Sequence, residues 1–131
     1  MIFVDTNYFL RFLLGDNISQ HKEAKEIFLQ AAEGKIELFT SLLVIFEIYW
    51  VLTSFYEKQK DEISKTLTDI LNLEFILLEE KEILRKAVST YETTSFDLED
   101  SFNLSFAKSK KTIDFKTFDI KLQKVFFGKL A

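Results

Sequence analysis

The chain has 131 residues, of which 47% are hydrophobic and 29% charged, and a net charge of −4; this length and mix predict one compact domain with one core and exclude a disordered chain. Cys is absent and His occurs once, at His21, so disulfides and ordinary zinc sites are excluded, and a metal would have to be held by oxygen ligands of the kind that suit Mg²⁺ or Mn²⁺. No apolar run approaches the roughly 20 residues needed to span a bilayer, and Met1–Asn7 lacks the basic and long apolar parts of a signal peptide, so no membrane partner is expected and the cytoplasm is the expected location.

The predicted elements alternate. Ile2–Val4 is a short apolar run that reads as a buried strand, stopped by Asp5–Thr6–Asn7. Tyr8–Leu14 follows as a helix ended by Gly15. Ser19–Glu33 has helical spacing at Ala24, Ile27, Phe28 and Ala31, with Gly34 closing it. Ile36–Phe39 is a second strand, and Ser41 caps an apolar helix running to about Tyr56. Asp61–Asn72 is helical through Ile63, Leu67, Ile70 and Leu71. Phe75–Leu78 is a third strand and Glu79–Thr93 the next helix. Asp97 caps a helix through about Ser109, Ile113–Thr117 is a fourth strand, and Ile120–Phe126 gives a last helical turn or two. Short apolar strands separated by helices predict an α/β fold: a parallel sheet with helices on both faces, binding ligands beyond the carboxyl ends of its strands.

The 15 Phe residues read as core filling rather than a base-stacking surface, and His21, in the polar stretch Ser19–Glu26, as a solvated helix residue. From Lys108 onward seven Lys stand against two Asp. That local positive excess offers a phosphate-binding edge, although lysines at a helix end and on a solvated tail are ordinary.

The acids carry the chemistry. Asp5 follows the first strand and Asp119 the fourth, which puts both at the carboxyl edge of a parallel sheet. Asp100 lies in the first turn of the helix opened by Asp97. Glu47 interrupts the apolar run Leu42–Leu52, where an ionised carboxylate is expensive unless paired or bound to metal. Positions 43, 47 and 50 or 51 share a helix face and Glu47's neighbours there are apolar, so Glu47 is expected to point at something buried; Arg11 is the alternative, a structural ion-pair partner. Clustered carboxylates without His suit metal-dependent phosphodiester hydrolysis, in which one ion lowers the pKa of bound water and a second stabilises the leaving oxygen.

Order and context narrow this further. Met1–Ile2–Phe3–Val4–Asp5–Thr6–Asn7 with Phe9–Leu14, then Thr40–Leu52 with Phe55–Tyr56, then Phe96–Asp97–Leu98–Glu99–Asp100–Ser101–Phe102, then Thr117–Phe118–Asp119 resemble, in order, the blocks of PIN-domain proteins, and of toxin ribonucleases of the VapC type in particular. The resemblance covers essentially the whole chain. It implies a single PIN domain over residues 1–131, a three-layer sandwich with a short parallel sheet of four or five strands flanked by helices. It also implies a metal-dependent endoribonuclease using Mg²⁺ or Mn²⁺ on Asp5, Glu47, Asp100 and Asp119, with Asn7 and Thr117 lining the site. An RNA substrate, a small antitoxin partner and a homodimer come with it. Two departures stand out: Ser101–Phe102 replaces the usual small-apolar pair after the third acid, with Phe102 expected to face the core, and Lys121 stands where many relatives carry another acid. Asp97 is expected to cap its helix rather than bind metal. A PIN-like scaffold that binds RNA or protein without cutting is the alternative. A haloacid-dehalogenase-type phosphatase would need an acid where Asn7 stands, and no receiver-type acid pair and late-strand Lys are clear.

Overall fold

The computed structural model describes residues 1–128. The chain divides into two compact units, Met1–Lys81 and Glu82 onward. The first contains the sheet. Strands β1 (Ile2–Phe3), β2 (Leu38–Phe39) and β3 (Ile76–Leu77) pair in parallel in the order β1-β2-β3. Helices α1 (Thr6–Leu14) and α2 (Ile18–Ala32) make the first crossover, and α3 (Leu42–Ser54) and α4 (Lys60–Leu71) the second. Parallel pairing requires crossovers of this length.

Local chemistry sets the element ends. Gly15 takes the left-handed conformation at φ 63° and its N–H donates to the Arg11 carbonyl, closing α1, where a Cβ would be strained. Asn17 caps α2 by accepting from Gln20 N–H, and Ser41 caps α3 by accepting from Val44 N–H. The His21 Nδ1–H donates to the Arg11 carbonyl at 3.0 Å, and its ring stacks on Phe12. His21 is therefore a tether between α1 and α2, not the solvated residue expected. The nearly inaccessible side chains of this unit include Phe9, Leu38, Ile45, Ile48, Leu52, Ile63, Leu67 and Ile76, each contributing roughly 1.5–3 kcal/mol through burial.

The second unit is helical among the described residues: α5 (Lys81–Thr93), α6 (Leu98–Ser109) and α7 (Ile120–Phe126). Phe96, Leu104 and Leu122 form its buried cluster, with Phe115, Val125 and Phe126 packed against it. Phe102 is buried, as expected, and stacks on Phe106 at 5.7 Å. The Phe residues as a whole divide: Phe9 and Phe28 are buried, while Phe3, Phe55, Phe106 and Phe118 are exposed.

The fourth predicted strand does not form. Residues 113–117 are irregular, so the described residues hold three strands and not four or five. Side chains there bond locally instead of leaving the backbone to a ladder. The Asp114 carboxylate accepts from Phe115 N–H at 2.7 Å and pairs with Lys116 at 2.8 Å, and the Thr117 hydroxyl accepts from Asp119 N–H. Ile113, which would have to be buried in a central strand, is 93% exposed. Of the lysines counted toward the C-terminus, Lys129 lies outside the described residues.

Candidate active site

In the first unit the site begins where the sheet ends. Val4 N–H donates to Phe39 O, Thr40 N–H to Leu77 O, and the buried Thr40 hydroxyl to Val4 O at 2.9 Å. These bonds fix the backbone at the carboxyl ends of all three strands, and Asp5 is the next residue. Asp5 caps α1: its Oδ1 accepts from Thr6 N–H at 2.8 Å. The Thr6 hydroxyl donates to Glu47 Oε1. One buried residue, Thr6, thus holds both carboxylates, one through its backbone and one through its side chain. In the sequence, Thr6 stands in the strand stop and in the first PIN-like block, with no role of its own. The available signal was a hydroxyl beside an acid, in the first turn of a helix.

The Glu47 carboxylate meets a buried residue, Thr6, as expected, but Glu47 itself does not enter the core. It is exposed on α3, and so are Leu43, at 76%, and Trp50, at 63%, on the same stripe. The hydrophobic residues that misled the expectation are themselves solvent-facing, because α3 buries its opposite side through Val44, Ile45, Ile48, Tyr49 and Leu52. Arg11 does not pair with Glu47 either. Its Nη1 lies 3.2 Å from Asp16 and its Nε donates to Gln20 at 2.7 Å. Asn7 is exposed on α1 and, with Tyr8, Arg11, Gln20 and Glu23, lines a cleft of about 200 Å³. The Tyr8 hydroxyl donates to Glu23 there, which raises the phenol's pKa.

The hydrogen bond from Thr6 gives a direct test of this arrangement. Thr6→Val keeps shape and the backbone N–H but removes the hydroxyl. It is expected to cost about 1 kcal/mol in urea unfolding, while Thr6→Ser, which retains the donor, should cost less. Equal losses would mean that packing of the methyl group, not the bond to Glu47, matters at this position.

In the second unit, Asp97 caps α6 as expected, accepting from Asp100 N–H at 2.8 Å. Ser101 is fully buried and its hydroxyl donates to Asp97 O at 2.8 Å. This accounts for a Ser where an apolar residue was usual: it braces the turn that presents Asp100. Asp119 caps α7, accepting from Leu122 N–H at 3.0 Å, and its own N–H is held by Thr117 Oγ1 at 3.0 Å. Burial, then the charges of Asp97 and Asp119, push the Asp100 pKa up. Glu99 is raised chiefly by burial, with the charges of Asp97 and Asp100 adding to it. Lys121 does not neutralise these acids by an ion pair. Its Nζ donates to Ser95 Oγ at 2.6 Å and lies 6.0 Å from the centre of the Phe96 ring.

The structure therefore gathers Asp5 with Glu47 around Thr6, and Asp100 with Asp97 and Asp119 in one electrostatic group. Among the described residues no ion pair with Lys or Arg involves Asp5, Glu47, Asp100 or Asp119. Three or more His, Asp or Glu side chains placed to cage a metal are also not found among them. The donor set is one that Mg²⁺ or Mn²⁺ accepts: all oxygen, anionic, and without cationic partners. Mg²⁺ keeps several waters and takes only one or two carboxylates directly, so small acid groups fit it where a closed protein cage would not.

Comparison with known proteins gives one family. The family model described as PIN domain matches residues 2–127. No curated protein and no solved structure gives a significant match to the chain.

Proposed function

The chain belongs to the PIN-domain family, whose members are typically nucleases, and from that premise we propose that it is a metal-dependent endoribonuclease acting as the toxin of a toxin–antitoxin pair of the VapC type. Residues 1–131 form one such domain in this reading. What carries it is the acid set: each acid that the family pattern requires is in place, presented at a helix start or held by a hydroxyl, and without an ion-pair partner among the described residues. Asp5, Glu47, Asp100 and Asp119 would hold Mg²⁺ or Mn²⁺, which when bound supplies a Lewis acid for phosphodiester hydrolysis and raises the acidity of water.

The chain's own residues do the positioning. Thr6 fixes the Glu47 carboxylate relative to Asp5. Asp97 and Ser101 lock the first turn of α6 so that Asp100 stays presented, and Thr117 holds the backbone of Asp119. Asn7, exposed two residues after Asp5, is free to orient a phosphate oxygen. RNA is the substrate, a small antitoxin protein the silencing partner, and a homodimer the assembly in this proposal. No described helix is long and apolar enough to cross a membrane, and the cytoplasm is the proposed location. Lys121, at a position where an acid was usual, favours one alternative, a scaffold that binds RNA without cutting it.

The two readings separate on activity and growth. Purified protein is expected to cut single-stranded RNA in Mg²⁺ or Mn²⁺ and not in EDTA, and expression of the chain alone should slow a bacterial host while Glu47→Gln should not. Cleavage that persists in EDTA, or growth equally slow with Glu47→Gln, would remove the metal reading. RNA binding without cleavage in either metal would establish the scaffold.

A further inference from the structure

The second unit holds a cavity of different character. Lys86 and Thr90 on α5, and Ser105, Lys108 and Ser109 on α6, line a space of about 270 Å³. The lining is two cations and three hydroxyls, with no carboxylate. Ser105 is only 8% exposed, and among the described residues its hydroxyl makes no hydrogen bond and its oxygen is not closed off from solvent. The preceding Ser on this helix face, Ser101, donates to the carbonyl four residues back. Ser105 leaves its hydroxyl to the cavity instead. Neither Lys86 nor Lys108 forms an ion pair among the described residues, although Glu82, four residues before Lys86, is engaged with Arg85.

We propose that this cavity between α5 and α6 is a phosphate subsite that takes a backbone phosphodiester of the RNA, away from the acid site. Two lysines supply charge, and the hydroxyls of Thr90 and Ser105 supply donors that can turn toward a tetrahedral oxyanion, while that of Ser109 donates to the Phe106 carbonyl. A cationic ligand would meet two lysines and no carboxylate there. Lys108 is eight residues beyond Asp100 on α6, roughly 12 Å along the axis at 1.5 Å per residue. A phosphate bound at Lys108 is therefore separate from one reacting at Asp100, and belongs to a neighbouring nucleotide of the same strand. In a chain of net charge −4, a local cationic anchor offsets the repulsion between an acidic protein and a polyanion. The proposal rests on the nuclease reading and assigns that enzyme a second point of contact with its substrate.

Binding of a long single-stranded RNA in EDTA, followed by fluorescence anisotropy against salt, tests it. Lys86→Gln/Lys108→Gln is expected to weaken binding about tenfold and to lower the log–log salt slope by about 0.7, the value for one single-strand phosphate contact. Ser105→Ala, which changes no charge, should weaken binding about threefold, in line with loss of one modest hydrogen bond. Lys22→Gln/Lys65→Gln carries the same charge change elsewhere and should leave affinity within about twofold of wild type. In Mg²⁺, Lys86→Gln/Lys108→Gln should cut a dinucleotide, too short to reach the cavity, at the wild-type rate, while KM for the long RNA rises and kcat holds. Equal losses in the two double variants would overturn the subsite in favour of unspecific attraction. Inorganic phosphate that shifts the Ser105 amide resonance, with RNA affinity unchanged in Lys86→Gln/Lys108→Gln, would show a free-phosphate site and overturn it as well. Wild-type protein that neither binds nor cuts RNA would defeat the nuclease reading and the subsite together; wild-type cleavage with an indifferent double variant would defeat the subsite alone.

Discussion

Asp100→Asn is expected to lower metal-dependent RNA cleavage by about 100-fold or more, the scale on which one preorganised electrostatic group acts, while Asp97→Asn keeps it within about threefold because Asn caps a helix as well as Asp does. The two carboxylates lie one helical turn apart and differ in employment. Asp97 accepts from the Asp100 N–H, and its backbone carbonyl accepts from Ser101; the amide of Asn can do the first and leaves the second untouched. The Asp100 side chain has no capping duty, and what Asn removes there is charge. The comparison is kcat/KM on one RNA in Mg²⁺, with circular dichroism to establish that both variants are folded. The opposite ranking would make Asp97 the metal ligand and Asp100 its support.

The legibility of these features in the sequence varied with how local their causes are. Asp97, Ser41 and Gly15 act within one turn of their own helices, and each does what its residue type predicts. The three strands were legible because short apolar runs flanked by helices have few other uses. The fourth failed because Asp114, Lys116 and Thr117 bond to close neighbours, a competition that an alternating apolar pattern does not reveal. Glu47 was legible in part: its carboxylate meets the buried Thr6, but the exposure of its own helix face was not. Leu43 and Trp50 are apolar yet exposed, so composition along the helix face pointed inward when the face points to solvent. The pairing of Thr6 with Glu47 spans 41 positions in the chain, and nothing local announces it. The cavity beside Ser105 depends on two helices meeting, and only the surplus of lysine toward the C-terminus hinted at it.

Without metal, Asp100→Asn is expected to melt above the wild type near pH 7, and in saturating Mg²⁺ below it. Burial and the charges of Asp97 and Asp119 hold the folded-state pKa of Asp100 above its ordinary value, whereas the unfolded chain returns it to about 3.9. Between those two values the folded state binds more protons than the unfolded one, so stability falls as pH rises through the window, and the deficit is complete above the folded pKa. Asn removes this deficit. Asp100 is partly exposed, so solvent screens the effect, and a gain of at most on the order of 1 kcal/mol, about 2–4 °C, is expected. The difference should shrink as pH falls and vanish below the unfolded pKa, where both side chains are neutral; Glu99 is raised chiefly by burial, which both proteins share, and the smaller part due to the Asp100 charge is lost in the variant and adds to the difference in the same sense. Mg²⁺ acts in the other direction. A ligand at 100 times its Kd stabilises the state that binds it by about 2.7 kcal/mol, more than the repulsion it relieves, and the variant, lacking one ligand, gains less. Thermal unfolding of both proteins across pH in EDTA, and again in Mg²⁺, reads the crossing directly. If Asp100→Asn melts lower in EDTA and Mg²⁺ raises both melting points equally, the acid group of α6 is structural and the metal is held elsewhere.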